Sequence, residues 1–128
     1  MHYVVDLEPK KCPLCGGMVR YVSNDAIYGA KYGSGYCYVC EGCRAYVGTH
    51  KHRPKQALGI LANEEMRALR RKCHDIFDKT WNTPEERKQR YRELAEKMKM
   101  NVEACHFAYF NMALLEKAYG ILINEKRQ

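Results

Sequence analysis

Cys12-Pro13-Leu14-Cys15-Gly16-Gly17, answered by Cys40-Glu41-Gly42-Cys43, decides how this chain folds. In each stretch a C-x2-C turn sets two thiolates on one side of a tight loop, the bite that metal–sulfur bonds of about 2.3 Å require. Gly16 and Gly17 follow the first pair and Gly42 sits inside the second, where the chain must turn with its amides toward sulfur. The two pairs predict one tetrahedral site closed by Cys12, Cys15, Cys40 and Cys43, with Zn2+ as the cofactor. One ion is expected there. The 24 residues between the pairs exceed the usual spacing, so the enclosed hairpin is long or carries an extra loop.

Cys37 offers a rival register, because Cys37 and Cys40 also form a C-x2-C pair. Tyr36-Cys37-Tyr38-Val39 alternates as a strand and lacks glycine, which makes Cys37 a packed thiol rather than a ligand. A disulfide framework is the other reading of the four knuckle cysteines. Seven cysteines is an odd number, and no signal-peptide pattern opens the sequence, so metal is preferred.

Outward from the knuckles, Met18 to Val22 and Tyr36 to Val39 alternate as strands, Ser23-Asn24-Asp25 turns the first, and Arg44 to Gly48 leaves the second knuckle. His2 to Leu7 has the pattern of a short leading strand. Ile27 to Gly35, rich in glycine and tyrosine, reads as an exposed loop. Tyr28 and Tyr32 there are candidates for stacking on bases, each worth about 1–3 kcal/mol; Tyr36 and Tyr38 fit strand packing better.

Thr49 to Lys55 reads as a basic linker in which Pro54 forbids helix. Asn63 then caps a helix with Glu64 and Glu65 in its first turn and Met66, Leu69, Cys73, Ile76 and Phe77 on its core face. Thr83-Pro84-Glu85-Glu86 is a second helix start, with Tyr91, Leu94, Ala95 and Met98 facing in and Arg90, Arg92, Lys97 and Lys99 outward or on the shoulder. Asn101 starts a short third helix from Val102 to about Ala108, and Asn111 a fourth with Leu114, Leu115, Ala118, Tyr119, Leu122 and Ile123 on a broad apolar face. The fold class is therefore α+β: an N-terminal zinc ribbon of short antiparallel strands, residues 1–50, then a basic helical lobe of three to four helices, residues 51–128, packed on it or fused with it into one composite domain.

The formal charge is +7. Residues 1–50 carry five Lys/Arg against four Asp/Glu, and residues 51–128 seventeen against eleven. A basic helical half invites nucleic acid or an acidic protein surface. No apolar run is long enough to span a bilayer, so a soluble protein of the cytoplasm is expected.

His74 has Asp78 one turn on, and His106 follows Cys105. With His50, these residues define a candidate second metal or hydrolytic site, but the reading preferred is that each histidine satisfies buried backbone groups and ties the two lobes together. No tight motif links them. No Ser-His-Asp order or phosphate-cradling glycine loop is present, so an enzyme is not expected.

The knuckles, Ala45-Tyr46-Val47-Gly48-Thr49-His50, Leu58 to Asn63, His74-x2-Phe77-Asp78-x2-Trp81 and Cys105-His106-x3-Phe110 together resemble a small family encoded by tailed phages and prophages, a zinc-finger-containing domain of unknown function. The resemblance runs over roughly residues 11–122, and it implies phage origin, a zinc ribbon and a C-terminal helical region but no activity. Its pattern includes His50, His74, Asp78 and His106. Asn111 stands where that pattern leads one to expect an aspartate after Phe110.

The expected function is that of a non-enzymatic zinc-ribbon protein binding nucleic acid, or a nucleic-acid–protein complex. Arg67, Arg70, Arg71, Lys72 and Arg92 would meet phosphates, and Tyr28 or Tyr32 would stack. The alternative is a phage-encoded inhibitor that binds a host nucleic-acid-binding protein such as a CRISPR nuclease. A metal-assisted nuclease built on the histidines ranks third.

Overall fold

The computed structural model describes residues 5–31 and 33–127. They fall into two compact units, residues 5–64 and residues 65–127.

The first unit is a four-stranded antiparallel sheet in the order β1 (Val19–Ser23), β2 (Tyr36–Cys40), β3 (Tyr46–His50), β4 (Arg53–Ala57), with a helical turn α1 (Asp25–Tyr28) between β1 and β2. The period-2 alternation sets the register. Val19 pairs with Cys40, Tyr21 with Tyr38, and Tyr38 with Val47, so these side chains share one face with Ala45 and Ala57. That face, closed by Leu61, is the core of the ribbon. Cys37 alternates to the other face and is fully buried.

The stretch expected to be a linker is instead β4. Its sequence, Arg53-Pro54-Lys55-Gln56-Ala57, has no apolar alternation. It is held by its backbone: Thr49 pairs with Ala57 and His50 with Arg53 across a bulge. Tyr21 and Tyr38 donate hydroxyl hydrogen bonds of 2.7 Å to the carbonyls of Pro54 and Lys55 respectively. An edge strand tolerates Pro54, which brings no N–H to the ladder. The two tyrosines thus curl the sheet so that its fourth strand is tied to its first two.

Of the leading strand expected at residues 2–7, residues 2–4 lie outside the described residues, and Val5 to Leu7 are not strand. The Leu7 carbonyl nonetheless accepts from the amide of Ala57 at 2.8 Å.

The second unit packs α2 (Glu64–Asp78, which begins at the junction of the units), α3 (Pro84–Met98) and α4 (Met112–Lys126). The starts match the capping chemistry. Thr83 accepts from the amide of Glu86 and Asn111 from that of Leu114. The expected third helix is two short 3-10 turns, Val102–Ala104 and Phe107–Tyr109. The backbone is extended at His106, which breaks the helical period and lets Cys105, Phe107 and Phe110 all enter the core, each at most 1% exposed. Phe77, Tyr91 and Phe107 form an aromatic cluster there, with ring centroids 4.5–6.5 Å apart.

Arg90, expected outward or on the shoulder of the stripe, is largely buried. It donates to Glu93 at 2.6 Å and Glu125 at 3.0 Å, while Lys97 donates to Glu125 at 2.8 Å. No helix among the described residues is long and apolar enough to cross a membrane.

Candidate metal centre

The two knuckles are built alike. In each, the amide of the first cysteine donates to the carbonyl five residues on, Cys12 to Gly17 at 2.9 Å and Cys40 to Ala45 at 2.8 Å. In each, the residue after the second cysteine donates back to the first cysteine's carbonyl, Gly16 to Cys12 at 2.8 Å and Arg44 to Cys40 at 3.1 Å. That residue is left-handed in both: φ is 76° at Gly16 and 67° at Arg44. The amides of Leu14 and Gly42 donate to the sulfurs of Cys12 and Cys40 at 3.4 and 3.3 Å, and that of Gly17 to the sulfur of Cys15 at 3.3 Å.

These turns bring the four Sγ atoms within 4.8 Å of one another. Cys12 and Cys43 are 3.6 Å apart, and Cys15 and Cys40 3.4 Å. A tetrahedron of sulfurs around zinc, with bonds of about 2.3 Å, has edges of about 3.8 Å. All seven cysteines are free of disulfides. Burial pushes the Cys12 thiol up to about 12, whereas amide donation, led by Cys43 and outweighing burial, brings Cys40 down to about 6. The donor set, its spacing and its amide hydrogen bonds to sulfur fit a closed structural Zn2+ site. Among the described residues, no other group of three or more potential metal ligands gathers, and Cys37 is not in the cluster.

Fold and site define a four-cysteine zinc ribbon joined to a helical unit. The chain belongs to the zinc-finger-containing domain family of unknown function, whose model matches residues 8–125. No curated protein and no solved structure matches it.

Among the described residues, the remaining candidates form no second metal-ligand group. His50 ends β3 in the ribbon. His74, Asp78 and His106 lie in the helical unit, with the His74 Nδ1 4.0 Å from the Asp78 carboxylate and the His106 ring against Tyr91 and Tyr109. On α2, Arg71 and Lys72 are exposed, while Arg67 and Arg70 are half-buried. Arg70 donates to the carbonyl of Ala108 at 3.1 Å, which braces the second 3-10 turn. Arg92 is exposed and donates to Gln89 at 2.8 Å. Tyr28 is 43% exposed, edge-on to Tyr46. Tyr32 lies outside the described residues.

Sequence reasoning missed two sets of side chains. The hairpin of β3 and β4 exposes Lys51, His52, Arg53 and Lys55, and residues 42–63 contain no Asp or Glu. Arg87 stacks on Trp81 and Tyr91; the signal was an arginine one turn into a helix that opens just after the only tryptophan.

Proposed function

We propose that this zinc-ribbon protein is a non-catalytic module that binds nucleic acid, alone or within a nucleic-acid–protein complex, through its basic surfaces. The reading is carried by cations displayed on acid-free stretches. Residues 66–74 contain Arg67, Arg70, Arg71 and Lys72 and no acid, and the structure exposes Arg71 and Lys72. Residues 42–63 do the same on the ribbon with Lys51, Arg53 and Lys55. Exposed cations meet phosphates and release counterions, which gives sequence-independent affinity. Arg92 adds a charge on α3, and Tyr28 offers a ring for stacking. A binding role agrees with Cys73 and Cys105, which burial pushes up to about 11, far from a reactive thiolate.

The test is binding of the zinc-loaded, nucleic-acid-free protein to single-stranded DNA, duplex DNA and RNA across a salt series. Log affinity is expected to fall linearly with log salt. Arg71→Ala and Lys72→Ala should each reduce the slope by about 1. Arg70→Ala, by contrast, should act mainly on folding of the helical unit. Absence of binding to all three at low salt overturns the proposal. It favours direct occlusion of a host defence nuclease such as a CRISPR effector, a reading supported by Leu14 and Met18 beside the first knuckle, 38% and 64% exposed.

A further inference from the structure

The helical unit holds a polar and aromatic cluster that the basic stretches do not include. His74 and Asp78 come from α2, Trp81 from the turn after it, Arg87 and Tyr91 from α3, and His106 from the segment between the two 3-10 turns. The Arg87 guanidinium carbon lies 4.9 Å from the Tyr91 ring centroid and 5.7 Å from that of Trp81. Two aromatic faces therefore orient a planar cation.

Arg90, one turn along the same helix, shows what a neutralised arginine looks like here. It is bonded to two carboxylates, and its side chain is 16% exposed. Arg87 is exposed, and among the described residues no carboxylate lies within 4.0 Å of it. Asp78 has other partners: it accepts from Trp81 Nε1 at 3.2 Å and faces His74 Nδ1 at 4.0 Å. The His74 side chain is 45% exposed, and the His106 ring lies 5.7 Å from that of Tyr91. Burial first, and then the charge of Arg87, lower both histidines below their ordinary value, although Asp78 and Asp75 oppose this at His74.

The charge of Arg87, felt by both imidazoles, disfavours a divalent cation at His74, Asp78 and His106, although the Asp78 carboxylate opposes it at His74. The guanidinium suits an anion. A stacked guanidinium presents a rigid fork of N–H donors matched to two phosphate oxygens, and the exposed His106 offers one imidazole N–H more.

We propose that Arg87, held over the Tyr91 ring against which His106 also lies, forms a binding site for a phosphate group, with Trp81 at its edge. The phosphate belongs to a nucleic-acid backbone or to a free phosphate compound. The first source rests on the nucleic-acid reading above; the site itself does not.

Trp81 is the only tryptophan, so its emission reports this site alone. The zinc-loaded full chain is titrated with inorganic pyrophosphate and with a labelled single-stranded oligonucleotide, following Trp81 emission and label anisotropy together. Both ligands are expected to change Trp81 emission saturably, and Arg87→Gln to weaken both by about tenfold or more. Lys72→Gln should weaken the oligonucleotide alone. Because Arg87 also braces the turn, His106→Asn at an exposed position serves as the second variant, with a several-fold loss expected while melting is unchanged. Oligonucleotide binding with silent Trp81 emission overturns the site and leaves the nucleic-acid reading standing. Pyrophosphate binding without oligonucleotide binding does the reverse. Pyrophosphate affinity within twofold of wild type in both Arg87→Gln and His106→Asn, or a second equivalent of Zn2+ lost on His106→Asn, also overturns the proposal.

Discussion

Gly17→Ala is expected to weaken metal binding by steric pressure on sulfur. A Cβ at residue 17 would lie 3.0 Å from the Cys40 Sγ and 3.2 Å from the Cys15 Sγ, both closer than an ordinary carbon–sulfur contact. Neither sulfur can retreat freely: Cys40 is fully buried, and the Gly17 amide itself holds the Cys15 sulfur at 3.3 Å. Overpacking of a rigid site costs about 1–3 kcal/mol. If that cost falls on the metal-bound state, Zn2+ affinity drops about 5- to 150-fold. Gly16→Ala is the control. A Cβ there meets nothing within 4 Å, so only the left-handed backbone is penalised, and Arg44 shows that the equivalent position of the other knuckle accepts a side chain. Competition between the protein and a calibrated chelator gives both affinities, and Co2+ spectra report distortion of the thiolate set. A Gly17→Ala affinity within twofold of wild type, or a larger loss in Gly16→Ala, would refute the reasoning.

Chelation should abolish the ribbon's strand signal in circular dichroism while helical signal and Trp81 emission persist, since all four ligands lie in residues 5–64. Cys37→Ser should keep zinc stoichiometry unchanged but lower ribbon stability by about 1–3 kcal/mol, because it buries a hydroxyl in place of a thiol; lost metal would show that Cys37 is a ligand. Gly120→Ala, on an exposed helical position where a Cβ meets nothing within 4 Å, should stabilise the helical unit by up to about 1 kcal/mol, read by its melt. Glu125→Gln removes a charge shared by Arg90 and Lys97 and should cost about 2–3 kcal/mol in the same melt at pH 7. Burial raises the Glu125 carboxyl, but Arg90 and Lys97 outweigh it and hold the group below the usual range; Glu93 is lowered by Arg90 and Gln89. A depressed carboxylate stabilises above its unfolded value of about 4.3 and loses that contribution as pH falls through the folded value. The gap between wild type and Glu125→Gln should therefore close below about pH 4, measured by Trp81 emission; a constant gap would contradict the linkage.

The metal centre was legible because its information is local: ligand spacing and adjacent glycines fix each knuckle within six residues. Helix starts were legible for the same reason, since Thr83 and Asn111 cap amides three residues on. What stayed hidden depends on partners far along the chain. β4 carries no apolar pattern, and its place is set by Tyr21 and Tyr38, which lie 33 and 17 residues before the carbonyls they bond. Arg90 turns inward because Glu125, 35 residues later, supplies its counter-charge. Asn101 predicts a helix after it, but its side chain makes no cap hydrogen bond, and the joint burial of Cys105, Phe107 and Phe110, which fits no helical period, favours two short turns instead.

The four ligands also differ in a way that spacing alone does not reveal. Cys12 and Cys40 are buried members of the ribbon core, together with Tyr38, Val47 and Leu61, whereas Cys15 and Cys43 are exposed. Each knuckle thus contributes one sulfur to the core and one to the rim, and a bound ion would join both halves of the sheet through the two inner sulfurs. For a unit of about sixty residues, whose apolar burial is marginal, this placement makes the metal part of the core rather than an accessory to it. The exposed sulfurs and their glycine turns then shape the surface next to Leu14 and Met18, while the cationic hairpin extends from β3 and β4 of the same sheet. The closed site therefore sets the surface around the knuckles, while Tyr21 and Tyr38 set the place of the cationic hairpin.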